Sequence, residues 1–324
     1  AGFPGALAAW TAFTLPSALL LVLFALGVVA EGDPAGAGWL RGLKVVAVAV
    51  VAQALVGMAR TLCPDRERAS FAVVAAVIVL FVPSAVGQVA AILLGGLAGI
   101  LLLRQDAPAG STAFAVPITR PVALASLGLF FLLLVGLPWL AQASGSMAVA
   151  LFDGFYRAGA LVFGGGHVVL PLLQAEVVVP GWVAADDFVA GYGAAQAVPG
   201  PLFTFAAFLG AVVQGAPTGV AGAALCLVAI FLPGFLLVVG TLPFWDALRV
   251  RPNAQAALMG VNAAVVGILL AALYDPVWTT GILAPGDFAL AVTAFVLLTL
   301  WQIPPWLVVA LTAAGGAALT ALGA

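Results

Sequence analysis

Two short stretches hold the residues best suited to chemistry. FGGGHVVLPLL, Phe163 to Leu173, sets three consecutive glycines before the only histidine of the chain. AAQAVPGPLFTF, Ala194 to Phe205, sets two prolines around a glycine, with Gln196 before them and Thr204 after. Glycine costs about 1 kcal/mol relative to alanine inside a helix, and proline removes a donor and clashes with the preceding turn. Each stretch therefore predicts a broken helix, restarting at His167 in one case and at Pro201, a good first helical position, in the other. A restarting helix offers amide hydrogens without partners and the positive end of its dipole, which suits an anion. Two such ends facing one another suit a dianion with tetrahedral oxygens, because many weak donors spread over several acceptors. In this reading Gly164, Gly165, Gly166 and His167 form one half of a substrate site. Gln196, Pro199, Gly200, Pro201 and Thr204 form the other, with the Leu202, Phe203 and Thr204 amides expected to point into a cavity.

Each of these residues also has a plain structural reading. A glycine run is what two helices need to cross closely in lipid, and His167 can equally be a hydrogen-bonded interior histidine. Its unperturbed pKa near 6.5 makes it the one group easily switched near neutral pH. Arg157, Glu176 and Asp187 are candidates for charge compensation or coupling, since ionisable groups beside intramembrane breaks often serve as relays. Against this, Arg157 can snorkel to the interface from its helix end. Glu176, Asp186 and Asp187 fall in QAEVVVPGWVAADDF, read as a connecting segment where carboxylates are solvated by default. The apolar spans hold no nucleophile–base pair and no aspartate pair, so no enzyme activity is expected. Cys63 sits in a charged loop and Cys226 in an apolar span, so neither a disulfide nor a metal site is expected. No cofactor is implied.

The elements that position these residues follow from composition. Of 324 residues, 65% are hydrophobic and 7% charged, with a mean hydropathy of +1.26. A soluble chain carries about 25% charged residues, so this one lacks the polar surface to face water. Apolar runs recur that are long enough to cross a hydrocarbon core of roughly 30 Å, and the alternating segments of a β-barrel are missing. The expected fold is an all-α polytopic membrane protein with about ten membrane segments. Spans are expected near 6–30, 40–60, 69–84, 86–103 and 119–142, then an interrupted region at 155–215, then 219–241, 254–274, 286–301 and 303–322. The interrupted region fits two re-entrant hairpins or two broken crossings equally well. Loops with Arg60, Arg66, Arg68, Arg104 and Arg120 are expected in the cytoplasm and the acidic loop 31–38 outside. The first apolar run is too long for a signal-peptide core of roughly 7–15 residues. No basic tract suggests nucleic acid.

An internal repeat refines this picture. GFPGALAAWTAFTLPSALLLVLF (2–24) aligns with GVAGAALCLVAIFLPGFLLVVGT (219–241), matching Gly2 to Gly219, Gly5 to Gly222 and Leu15-Pro16 to Leu232-Pro233. With one residue inserted, Gly42 also matches Gly260. The loops after the two copies differ in charge sign, which points to an inverted structural repeat of the kind that carries a transporter site on broken helices near the midplane.

FGGGHVVLPLLQAEVV, then Trp182, Asp187 and Phe188, then GYGAAQAVPGPLFTFAAFLGA, resemble the signature of the chromate ion transporter (CHR) family over roughly 150–285. Residues 1–104 resemble the later part of that family's N-terminal half. The resemblance implies two antiparallel homologous halves, each with its own Gly-Gly element and PGP element; this chain has both only in the second. The expected organisation is therefore 1–104 as the later part of an N-terminal repeat whose start precedes Ala1, 105–118 as a linker, and 119–324 as the C-terminal repeat. It further implies export of chromate from the bacterial cytoplasm across the inner membrane, driven by the membrane potential or proton gradient, with sulfate as a similar dianion. A transporter of another anion, or an anion channel, is the alternative. The expected partners are an oxyanion and the lipid bilayer, and a homodimer stays open beside a single working copy.

Overall fold

The structure, a computed structural model, describes residues 2–30, 38–103, 118–163, 166–245, 247 and 250–323, and no strand occurs among them. In chain order the helices are α1 (Gly2–Ala30), α2 (Gly38–Leu62), α3 (Arg66–Phe81), α4 (Ala85–Leu102) and α5 (Arg120–Ser144). They continue with α6 (Met147–Ala160), α7 (Val169–Val177), α8 (Ala185–Ala195), α9 (Phe205–Val212) and α10 (Gly219–Thr241). The last three are α11 (Pro252–Ala272), α12 (Pro285–Thr299) and α13 (Pro305–Ala321). Six of them, α1, α2, α4, α5, α10 and α11, are long and apolar enough to cross a bilayer. The chain is thus an all-helical polytopic membrane protein. The other helices are shorter, and most pair into hairpins.

Helix ends follow local chemistry. Asp65 caps α3 by accepting from the Arg68 amide at 2.9 Å. The Arg68 side chain also bonds it, and these hydrogen bonds hold its carboxyl below the usual carboxylate range. Proline stands in the first turn of α5, α11, α12 and α13, where a missing amide hydrogen costs nothing.

Packing fixes the direction of each helix. Arg41 pairs with Asp287 at 2.6 Å and Gln53 donates to the Leu298 carbonyl at 3.3 Å, so α2 and α12 run side by side in the same direction. Gly38 lies against Thr320 and Gly42 against Thr312, so α13 runs back along α2. A second group has the same build. Arg68 meets Met259 and Ala72 meets Gly267, making α3 parallel to α11. Gly95 and Gly99 meet Gly260 and Ala256, making α4 antiparallel to it. Gly281, just past α11, touches Lys44 near the start of α2, so α2 and α11 point in opposite directions.

One end of the molecule therefore carries Arg60, Arg66, Arg68, Arg120 and Arg251, at the ends or starts of α2, α3, α5 and α11. At the other end Arg41 and Lys44 are both paired with aspartates, Lys44 with Asp186 at 2.8 Å. Arg104 and residues 31–37 of the acidic loop lie outside the described residues, as do residues 105–117 of the expected linker.

The central contacts depend on bare glycine. A Cβ on Gly42 would collide with the Thr312 carbonyl, and one on Gly260 with the Gly95 carbonyl. Gly42→Ala and Gly260→Ala should each lose about 1–3 kcal/mol, the usual cost of overpacking. Gly128→Ala on α5, where nothing lies within 4 Å of the new methyl, should be neutral or gain stability through helix propensity. Thermal unfolding of the purified protein checks the contrast.

Candidate functional site

The interrupted region consists of two helical hairpins that enter from the same end. Glu176 of α7 packs on Gly154 of α6, so α6 and α7 fold back on one another with their turn at 161–168. In the second hairpin α8 packs on α9 through a stack of aromatic rings: Phe188 with Phe205 at 5.2 Å, and Tyr192 with Phe205 at 5.7 Å. Gly191 lies against the Phe208 ring, where a Cβ would collide. The base of this hairpin is closed by the Gln214 amide donating to the Trp182 carbonyl at 2.9 Å. Met147, at the start of α6, approaches Gly215 at the same level.

Both hairpins end in a 3-10 turn, Gly166–Val168 in one and Leu202–Thr204 in the other, and the two turns touch. A Cβ on Gly166 would stand 3.6 Å from the Leu202 Cβ. Third to the meeting is α1. Ser17, buried and directly after the in-helix Pro16, donates its hydroxyl to the Pro199 carbonyl. Gly200 packs so tightly on Ser17 and Phe13 that a Cβ there would collide with the serine side chain. The turns at Gly166–Val168 and Leu202–Thr204 therefore meet, while Gly166 and Pro199 themselves are exposed. Gly164 and Gly165 lie outside the described residues.

Several expected details change. His167 belongs to the 3-10 turn, and its Nδ1 stands 2.6 Å from the Tyr192 hydroxyl. Tyr192 itself is fully buried. Gln196 ends α8, with Nε2 donating to the Tyr192 carbonyl at 3.4 Å. Thr204 departs from expectation. Its amide and its hydroxyl both donate to the Pro201 carbonyl, each at 2.9 Å, because the chain closes a tight turn after proline instead of starting an open α-helix. Only the amides of Leu202 and Phe203 remain as candidate donors there.

The charged candidates separate. Glu176 is not in a connecting segment: it lies in α7, its side chain 12% exposed. Arg157, in the last turn of α6, does not run out to the interface. It ion-pairs with buried Asp153 one turn earlier and reaches Glu176 at 3.5 Å. Asp187 is in the first turn of α8, at the hairpin base and so at the far end of that helix from Gln196. It is not part of the meeting point. Of the participants that sequence reading missed, Asp153 carried a signal, since it stands four residues before Arg157 in an apolar run. Ser17 carried a weaker one, a polar residue after a proline inside a span. Tyr192 carried none. Cys63 and Cys226 are free thiols.

The sequence model of the family described as "Chromate transporter" matches residues 1–100 and 149–318. A "Probable chromate transport protein" of Synechococcus elongatus is 33% identical over 126 residues, 39% of this chain and 30% of the relative. A "Chromate transport protein" of Pseudomonas aeruginosa is 31% identical over 171 residues, 51% of this chain and 39% of the relative. The "Uncharacterized transporter YwrB" of Bacillus subtilis is 33% identical over 174 residues, 50% of this chain and 82% of the relative. The chain thus spans about a third of the length of the curated chromate transport proteins it matches. No solved structure matches.

The Arg157 cluster gives a stability test. Removing one partner of a buried pair costs about 3–5 kcal/mol, whereas replacing the whole set by neutral residues is often tolerated. Arg157→Ala should therefore unfold at markedly lower temperature than the native protein. The combined Asp153→Asn, Arg157→Met, Glu176→Gln variant should recover most of the loss.

Proposed function

This chain belongs to the chromate transporter family, and on that premise we propose that it is the site-bearing part of a secondary transporter that moves chromate out of the cytoplasm. The observation that carries this reading is the meeting of the two hairpin tips, Gly166–Val168 against Leu202–Thr204, beside Ser17. A break in a helix within the bilayer must be buried in protein or line a cavity, and a glycine-rich turn followed by a helix start favours an anion. Chromate and sulfate are both tetrahedral dianions, so both fit the same donors. Gly166 exposes backbone with no side chain in the way. His167 is fixed on its Nδ1 side by Tyr192, which leaves Nε2 to face the anion and to gain a proton as it arrives. Arg157, held by Asp153 and Glu176, lowers the cost of bringing a dianion near.

Transport then follows from a two-fold design. The α2 group with α12 and α13, and the α11 group with α3 and α4, have the same internal directions and opposite overall direction, as the contacts of Gly42 and Gly260 support. Residues 1–104 and 119–324 are accordingly the two copies of an inverted repeat. Rocking of one copy against the other exposes the tips to alternate faces. The arginine-bearing end faces the cytoplasm by the positive-inside rule, so the hairpin bases face outward in the inner membrane.

A pair of substitutions tests the tip. Gly166→Ala places its methyl at ordinary contact distance from Leu202 and should retain most transport. Gly166→Val forces a branched side chain between the tips and should reduce chromate uptake into inverted vesicles by at least about tenfold, a loss of 1.4 kcal/mol in transition-state terms, with the protein still in the membrane. Equal transport by both variants contradicts the assignment.

A further inference from the structure

Away from the hairpin tips, one cavity gathers oxygen acceptors without a cationic side chain. It measures about 80 Å³ and lies at the end opposite the arginine-bearing loops, lined by Val79, Gln88, Pro171, Gln174, Ala272 and Asp275, among other residues. Three helices bring their C-terminal ends to it: α3 through Val79 and Leu80, α7 through Ala175 and Val179 at its end, and α11 through Ala271 and Ala272. Such ends carry carbonyls without intrahelical partners and the negative end of the helix dipole. At Asp275 the backbone leaves helical geometry, with φ −131° and ψ 118°, as a residue before a proline tends to do.

Gln88 supplies the second, independent observation. It is 4% exposed and donates Nε2 to the Pro171 carbonyl at 2.7 Å. A carbonyl accepts only from the NH₂ side of the amide, so this bond fixes which way the group faces. Oε1 is left buried, with no hydrogen-bond partner among the described residues. A buried acceptor in that state costs about 1–3 kcal/mol, and its side chain is one of those lining a cavity that has no Lys, Arg or His in its wall.

We propose that this cavity is a binding site for a monovalent cation, sodium, held by Gln88 Oε1, the Asp275 carboxylate and main-chain carbonyls of the converging helix ends. Oxygen ligands suit a hard cation. One carboxylate among neutral oxygens balances a single charge, and no cluster of three or more His, Cys, Asp or Glu suited to a metal ion occurs among the described residues. Gln88 belongs to α4, and its bond to Pro171 ties it to α7, the helix that restarts after the GGGH element. A filled site therefore holds that hairpin against α4 and α11. This last consequence rests on the tips being the anion site; the binding of sodium does not.

The test is thermal unfolding of the purified full-length protein in choline, lithium, sodium or potassium chloride at constant ionic strength, at two pH values. Sodium should give a saturable upward shift in Tm that choline does not. Gln88→Leu and Asp275→Asn should each lose that shift. Asp275 is exposed and bonds Thr279 at 3.2 Å, so its variant keeps the fold testable even where Gln88→Leu is unstable. No sodium shift in the native protein, a shift reproduced by choline or by pH alone, or one that survives in Asp275→Asn overturns the site. A sodium shift without any response to chromate sinks the anion reading alone, and a chromate response without a sodium shift sinks the cation site alone.

Discussion

The structure depends on a constraint of the bilayer: a backbone amide or carbonyl inside it finds no water, so any interruption of a helix must be satisfied by protein. Two interruptions stand close in sequence here, and the fold satisfies them largely with one another and with α1. The turn at Gly166–Val168 rests against the turn at Leu202–Thr204, and Ser17 supplies a hydroxyl to the Pro199 carbonyl that the proline-rich break leaves over. Tyr192, fully buried between the hairpins, does the same for His167. The tips are thus held from three sides.

That arrangement needs a rigid surround, which comes from helices packed backbone to backbone. Gly42 on α2 and Gly260 on α11 sit where any side chain would strike a neighbouring carbonyl. Small residues permit such approach in lipid, where association rests on packing and not on the hydrophobic effect. The buried charges are arranged with comparable economy. Asp153, Arg157 and Glu176 pair with one another between α6 and α7 through one guanidinium nitrogen, while Arg157 Nε is buried without a hydrogen-bond partner among the described residues, and ion pairs join α2 to α8 and to α12.

Much of this was legible in the amino-acid sequence, for identifiable reasons. Glycine and proline act locally, so the break before α7 and the one at 196–204 could be placed from the residues alone. Composition identified the solvent, and the match of Gly42 to Gly260 marked two positions that make equivalent close contacts. What could not be read is what depends on which turn forms. Thr204 looked like a free donor because Pro201 looked like an open helix start; a 3-10 closure takes both its amide and its hydroxyl. Glu176 looked solvated because the following ValValProGly run reads as a loop, yet α7 extends to Val177 and carries it inward. Ser17 and Gln88 act across more than 80 residues of chain, a distance over which local pattern is silent.

The central claim, that the two meeting tips together hold an anion, is tested most directly by a cross-link. The Gly166 and Leu202 Cβ positions, 3.6 Å apart, suit a disulfide. In membranes, with Cys63 and Cys226 replaced by serine and alanine, the Gly166→Cys, Leu202→Cys double variant should oxidise readily. Molybdate or sulfate, dianions that do not themselves oxidise thiols, should slow that reaction in proportion to their occupancy. Failure to form the bond in the folded protein, or oxidation at the same rate with and without either anion, would contradict the account.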